Sequence, residues 1–127
     1  MKTSYTTLKL FIGYILVLLL MLLSSSANGQ STCVDSGVCV VQFNADFNKA
    51  NKVPWINKIK DAKYIYIDIS TDTKAIDKYK IVNIPTIIIF NNGKEVTRYQ
   101  ANIMMQIVVL QKEIQDKVYE ILTKGGK

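Results

Sequence analysis

The sequence predicts an α/β domain built on a four-stranded mixed sheet flanked by helices, and three observations favour this class. Short, β-prone apolar runs alternate with stretches of helical periodicity over residues 39–122, as in α/β folds. The Asn92-Gly93 pair separates the last two strand-like runs, which predicts a hairpin. The final stretch repeats apolar residues at spacings of three and four, the pattern of a helix with one buried face.

We expect four strands, at residues 39–45, 64–69, 84–90 and 95–100, and three helices, at residues 48–60, 71–79 and 103–122. Helical crossovers would make the first three strands parallel, and the hairpin would make the last pair antiparallel. Pro54 fits the first helix only in its opening turn or at a kink. The apolar stripe of the last helix comprises Ile103, Ile107, Leu110, Ile114, Val118 and Ile121.

The first 29 residues have the order of a secretory signal peptide. Lys2 and Lys9 give a positive start, residues 10–23 are almost wholly apolar, and Ala27-Asn28-Gly29 offers small residues for cleavage. The apolar run is short of the roughly 20 residues that a bilayer span needs. We therefore expect cleavage and export, to the periplasm or another extracytoplasmic space or as a secreted protein, with no membrane contact afterwards. An uncleaved signal anchor is the alternative.

The composition argues against several classes of function. The net charge is +6, but positive and negative residues are interspersed, which is typical of a solvated surface and not of a nucleic-acid site. The chain contains no histidine, which removes the commonest general base and the commonest transition-metal ligand. We expect no nucleic acid, no metal and no cofactor.

Two motifs carry a resemblance to a known family. Tyr79 to Thr86 reads Y-K-I-V-N-I-P-T, and Phe90 to Gly93 reads F-N-N-G, and these are similar to the thioredoxin runs Y-x-I-x-x-I/V-P-T and F-x-N-G. The stretch Val41 to Phe47 resembles the thioredoxin strand that leads into the active site. The resemblance implies a thioredoxin-like domain at residues 40–124, preceded by the signal peptide at 1–29 and a short segment at 30–39.

The resemblance fails at the residues that carry the family's chemistry. The two positions of the C-x-x-C motif hold Asn48 and Asn51. A cysteine thiolate at a helix N-terminus is stabilised by free backbone amides and attacks disulfides, whereas asparagine has no thiol and serves only as a helix cap. The position of the family's buried acid, which moves protons beneath the cysteines, holds Gln42. The usual redox site is therefore expected to be inactive, and the chain is more naturally a binding protein than an enzyme.

The resemblance also implies a peptide groove. Pro85 matches the family's cis-proline, and the backbone of the preceding residue, here Ile84, pairs with an extended substrate in the family. We take Asn48, Asn51, Trp55, Ile84 and Pro85 as the candidate groove, and an extended segment of another protein as its ligand. The alternatives are that Pro85 only shapes the start of the strand and that Trp55 only packs.

Cys33 and Cys39 are the only cysteines, and Asp35-Ser36-Gly37 between them is a turn signal. In an exported chain they suggest one structural disulfide, which tethers the N-terminal segment to the sheet. Two other interpretations stay open: a displaced redox pair, or a buried Cys39 beside a free Cys33.

Three functions therefore compete. The first is a redox-inactive module that binds an extended protein segment. The second is a thiol–disulfide oxidoreductase, or redox-homeostasis protein, that works through Cys33 and Cys39. The third is a structural subunit with no groove ligand.

Overall fold

The computed structural model describes residues 2–23 and 33–125, with the side chains of residues 5–20 and 34–125. The chain divides into two compact units, Met1–Gln30 and Ser31–Lys127. In the first unit one helix, α1 (Lys2–Leu23), includes the apolar run of the predicted signal peptide. None of the described helices is long and apolar enough to cross a membrane. The expected cleavage site at Ala27-Asn28-Gly29 lies outside the described residues.

The second unit contains a four-stranded mixed sheet with helices on both faces, as predicted. After a 3-10 turn at Cys33–Asp35, its elements are β1 (Val38–Asn44), β2 (Lys63–Asp68), α2 (Lys74–Tyr79), β3 (Thr86–Asn91), β4 (Lys94–Gln100) and α3 (Gln111–Lys124). The strand order is β2-β1-β3-β4. All seven residues of β1 are buried, because this central strand is covered on both faces, whereas the edge strands are partly exposed.

The expectation that the first three strands are parallel is wrong for β3. Strand β2 runs parallel to β1, but β3 runs antiparallel to it, with Thr86 opposite Phe43 and Asn91 opposite Val38. The reason is the length of α2, which has six residues and so spans about 9 Å. It cannot return the chain along a seven-residue strand of roughly 23 Å, so β3 starts at the edge where β2 ends.

Two apolar clusters fill the two faces of the sheet. Cys39, Val41 and Phe43 of β1 face α2 and the loop after it, where Ala75 and Tyr79 cover them. On the other face the neighbouring β1 residues contact α3 and the segment after β1; this cluster contains Val38, Val40, Val53, Ile56, Ile59, Ile87, Ile89, Ile114, Val118 and Ile121. The alternation along β1 is the period of two that a strand between two layers requires.

The predicted helix at residues 48–60 is wrong. The chain forms two short 3-10 helices instead, Asp46–Asn51 and Ile56–Lys58. Pro54 lies between them, and it lacks a backbone donor and disfavours helical geometry in the residue before it. The apolar residues at a spacing of three in this segment are nevertheless buried, because 3-10 turns also bring residues three apart to the same side.

The predicted helix at residues 103–122 begins late, because α3 starts at Gln111. The Asn102 side chain accepts hydrogen bonds from the backbone N–H groups of Met104 and Gln106, and this local pairing competes with a helix. Met105 has a φ of 57°, which no α-helix accommodates. Ile103, first in the predicted stripe, is therefore fully exposed, whereas Ile114, Val118 and Ile121 are buried as expected.

The hairpin at Asn92-Gly93 is confirmed, since both residues have positive φ, 50° and 85°. The Asn92 side chain accepts a hydrogen bond from Gly37 N at 2.8 Å, and Asn92 N donates to Gly37 O at 3.0 Å. The tip of the hairpin is thus fastened to the turn that precedes β1.

The late start of α3 predicts opposite results for two isoleucines of the same stripe. Ile114→Ala should lower the free energy of unfolding by about 2 to 5 kcal/mol, because it opens a cavity in the core. Ile103→Ala should change it by less than about 0.5 kcal/mol, because the side chain is in water. Urea unfolding followed by circular dichroism measures both. Similar losses for the two variants would mean that Ile103 packs in the core and would contradict this assignment.

Candidate functional site

The candidate site lies at the edge of the sheet where β1 ends and β3 begins. Asn44 is the last residue of β1, and the 3-10 helix Asp46–Asn51 follows it directly. Because β3 is antiparallel to β1, the Ile84-Pro85 pair enters the sheet at this same edge. The fold therefore brings together residues that lie about 35 to 40 positions apart in sequence, Asn48 and Ile84 among them.

Three asparagine side chains form a hydrogen-bonded cluster at this edge. Asn48 Nδ2 donates to Asn44 Oδ1 at 3.0 Å, and Asn44 Nδ2 donates to the Asn48 carbonyl at 3.1 Å. Asn51 Nδ2 donates to Asn48 Oδ1 at 2.8 Å. The structure thus places Asn48 and Asn51 side by side, and adds Asn44, which the sequence analysis did not single out.

The Asn48 amide also reaches two other segments. Its Nδ2 lies 3.4 Å from the Ile84 carbonyl and 3.4 Å from the Met105 carbonyl. The amide nitrogen has two protons and three acceptors within reach, so the two long contacts share a donor and are weak. Asn48 is 5% exposed, so these contacts replace water around a buried amide.

The Ile84–Pro85 peptide bond is cis, as the resemblance implied. Ile84 is 8% exposed. Within the described part of the chain, no hydrogen-bond acceptor faces its backbone N–H. Pro85 itself has a partner, since its carbonyl accepts a hydrogen bond from Ala101 N at 3.1 Å.

Asn48 and Asn51 do not cap a helix, contrary to expectation. Asn48 lies inside the 3-10 helix with φ −107° and ψ 19°, and the residue before that helix is Ala45. No α-helix begins here, because Pro54 lacks a backbone donor and disfavours helical geometry in the residue before it. The helix dipole that would lower the pKa of a thiol at these positions is therefore missing together with the thiols.

Trp55 joins the site from one side only. It packs partly buried against the α3 face of the core. With Asn51, Lys52 and Pro54 it forms one wall of a pocket of about 290 Å³, and residues 106–109 form the other wall. Hydrogen bonds join Asn48 to Asn51 and to Ile84. Trp55 takes no part in these bonds, and it shares the lining of the pocket with Asn51.

Gln42, at the position where the resemblance implied a buried acid, has a structural role. It is fully buried, and its side chain pairs with the backbone of Val53: Val53 N donates to Oε1 at 2.7 Å, and Nε2 donates to the Val53 carbonyl at 3.3 Å. Nε2 also lies 3.4 Å from the Tyr64 hydroxyl, whose pKa is raised, mainly by burial. The buried polar side chains of the described residues are all uncharged, namely Gln42, Asn44, Asn48 and Thr86.

Cys39 is remote from the amide cluster. It pairs with Lys63 and Phe90 near the start of β1, whereas Asn44 ends the strand. The two residues are five positions apart along the strand, about 17 Å. Cys39 is fully buried and does not carry a free thiol. The side chain of Cys33 lies outside the described residues, so the pairing of Cys33 with Cys39 stays a prediction.

No protein-family model matches the chain, and no curated protein matches it. Solved structures do. A mutant thioredoxin from Halobacterium salinarum aligns with a TM-score of 0.57 at 19% identity, over 71% of this chain and 79% of its own. The thioredoxin of Malassezia sympodialis aligns at 0.53 with 20% identity, over 75% and 85%. That of Schistosoma mansoni aligns at 0.51 with 22% identity, over 68% and 78%. At these identities the likeness establishes the fold and not the activity.

Gln42 pairs with both the N–H and the C=O of Val53 in the core. We therefore expect its replacement to lower the free energy of unfolding more than replacement of Gln115, which makes the same kind of pairing near the surface. Gln42→Leu should lower the free energy of unfolding by about 2 kcal/mol, because it leaves a buried backbone N–H and C=O unpaired. Gln115 makes the same two bonds to the backbone of Lys60, at 2.7 and 3.0 Å, but near the surface. There water replaces the side chain, so Gln115→Leu should cost less than about 1 kcal/mol. Equal losses in urea unfolding would contradict this role for Gln42.

Proposed function

We propose that this thioredoxin-like chain is an exported, redox-inactive module that binds an extended segment of another protein at the Ile84–Pro85 edge. The observation that carries the proposal is a thioredoxin-like site in which hydrogen-bonded amides replace the cysteines, while the Ile84 backbone stays incompletely paired. Exchange chemistry needs a nucleophile, but strand pairing needs only a free backbone edge.

The chemistry of the site supports the loss of redox activity. A carboxamide does not ionise near neutral pH and cannot form a mixed disulfide. Gln42 is hydrogen-bonded to the Val53 backbone and has no group that ionises near neutral pH. The three-asparagine cluster is satisfied internally, so it stabilises the local fold without offering a reactive atom.

The Ile84 backbone supports the binding function. In an extended residue, N–H and C=O point to the same side and can pair with one residue of an added strand. At Ile84 the N–H has no acceptor in the described part of the chain, and the C=O has only the 3.4 Å contact with Asn48. An incoming segment would complete both.

Exposed apolar side chains near this edge supply contact area. Phe47 directly precedes Asn48, and Val82 lies two residues before Ile84; both are largely exposed. Met104 lies beside Met105, whose carbonyl contacts Asn48, and is also exposed. An apolar rim around a backbone edge suits a segment with apolar side chains, whereas a nucleic-acid backbone would need a cluster of cations.

The proposed location follows from the leader. A charged start, an apolar run and small residues at 27–29 support cleavage and release into a periplasmic, extracytoplasmic or extracellular space. The partner would then be a protein of that compartment. A disulfide between Cys33 and Cys39 would be stable there and would fasten the N-terminal segment to β1.

The oxidoreductase alternative has less support. A redox-active pair needs one accessible sulfur with a lowered pKa, whereas Cys39 is fully buried in the central strand. Cys39 lies within β1, between β2 and β3 in the sheet, and none of the α-helices in the described part of the chain begins next to it in sequence.

The first prediction from this proposal concerns redox activity. The chain should not reduce insulin with dithiothreitol above the rate of the reductant alone, and the Cys33→Ser/Cys39→Ser double variant should behave in the same way. After cleavage of the unreduced chain before Asp35, residues 33 and 39 should remain in one disulfide-linked species that reduction separates into two fragments. Turnover that disappears in the double variant would replace the binding module with the oxidoreductase.

The second prediction concerns binding. The probe is reduced, carboxymethylated α-lactalbumin, an unfolded chain with no free thiol, so any complex is non-covalent. It should bind the wild type reversibly, and Val82→Asp should weaken binding about tenfold by placing a charge in the apolar rim. Val96→Asp, on edge strand β4, is the matched control and should bind like the wild type. Equal weakening in both variants would place the ligand elsewhere.

A further inference from the structure

Residues 102–106 form a compact loop that is bonded mainly to itself. Asn102 Oδ1 accepts hydrogen bonds from Met104 N at 2.9 Å and Gln106 N at 3.1 Å. Asn102 N donates to the Gln106 carbonyl at 2.9 Å, and Met105 N donates to the Asn102 carbonyl at 3.0 Å. All four of these bonds involve Asn102, two through its side chain and two through its backbone.

Among the described residues, the loop makes one hydrogen bond to the asparagine cluster, and that bond is weak. The Met105 carbonyl accepts from Asn48 Nδ2 at 3.4 Å, the same nitrogen that lies 3.4 Å from the Ile84 carbonyl. On its N-terminal side the loop is held more firmly, because Ala101 N donates to the Pro85 carbonyl at 3.1 Å. That bond fixes a hinge just before the loop.

The space beside the Ile84 carbonyl is filled in this arrangement. The Ile84 and Met105 carbonyl oxygens each lie 3.4 Å from the same nitrogen, Asn48 Nδ2. A donor of a ligand segment that pairs with the Ile84 carbonyl would have to take the place of that nitrogen. The side of the Ile84 carbonyl to which a segment would pair is therefore occupied by the Asn48 amide, which also contacts the Met105 carbonyl.

We infer that residues 102–106 are a lid that closes the Ile84 edge and swings out about Ala101 when an extended segment binds. The inference rests on the proposed function, whose site it regulates. When the lid opens, the segment takes the place of the Met105 carbonyl. The Asn48 amide then keeps Asn44 as its partner and can donate its second proton to the ligand.

The closed lid has two features of a state that is easily displaced. Met105 is held at φ 57°, a conformation that is strained for any residue with a side chain other than Asn or Asp. Ile103 and Met104 project into water without a covering group in the described structure. Opening would relieve the strain at Met105, and an apolar ligand would cover Ile103 and Met104.

Two substitutions in the lid should act in opposite directions. Asn102→Ala removes the acceptor for two backbone N–H groups, so the open state becomes more populated and the affinity for carboxymethylated α-lactalbumin should rise about tenfold. Met105→Gly removes the strain at positive φ and should favour the closed state, with weaker binding and slower exchange of the residue-105 amide hydrogen. Asn57→Ala, at an exposed position of the 3-10 helix Ile56–Lys58, is the matched control and should change neither quantity.

Amide hydrogen exchange of the free and bound wild type separates failure of the lid from failure of the function. If the probe binds, and affinity and exchange at residues 103–106 do not differ between Asn102→Ala and Asn57→Ala, then the lid is wrong and the binding site stands. If the probe binds none of the variants, including the opened Asn102→Ala, then the proposed function is wrong and the lid has no role. Tighter binding by Asn102→Ala with faster exchange at residue 105 supports both.

Discussion

The hydrogen-bond requirement of one buried amide organises the functional end of this protein. The Asn48 side chain lies among the end of β1, the residue before Pro85 and the loop before α3, and it contacts a carbonyl oxygen from each. A buried amide without partners would cost about 1 to 3 kcal/mol, and the 3.0 Å bond to Asn44 supplies the firm partner while the two 3.4 Å contacts are weak. A cysteine at the same position could not make these bonds, because a thiol is a weak donor with a single proton.

Asparagine at position 48, where the resemblance implied a cysteine, also separates this fold from the chemistry that the resemblance implied. The sheet and its covering helices align with thioredoxins of known structure, but every buried polar side chain among the described residues is neutral. Gln42, Asn44 and Asn48 satisfy each other or the backbone, which stabilises the edge of the sheet and leaves no group there to transfer a proton or attack a sulfur. Under the proposed function, a ligand would therefore meet backbone, at Ile84, and apolar surface around it.

Two short elements decide how the edge is built. Pro54 prevents an α-helix after β1, and the 3-10 turns that replace it place Asn48 over the sheet edge with its side chain turned inward. The six-residue α2 is too short to reverse the chain, so Ile84 returns beside Asn44. Arg98 of β4 then binds the end of α2, donating to the carbonyls of Tyr79 and Lys80 at 2.7 and 2.8 Å. Lys80 adopts the left-handed conformation there, with φ 52°.

The sequence by itself determined the four strands to within two residues at each end and the hairpin between the last two. It also determined that both faces of the sheet are covered and that the site has no cysteine. These depend on periodicity, turn chemistry and residue identity, which are local. It failed for the helices at residues 48–60 and 103–110, although the apolar spacing there was clear. Periodicity of three or four does not distinguish an α-helix from 3-10 turns or from a loop fixed by a side chain such as Asn102. Only the tertiary structure decided the direction of β3 and the meeting of Asn48, Ile84 and Met105, because hydrogen bonds between residues 36 to 57 positions apart leave no local pattern in the chain.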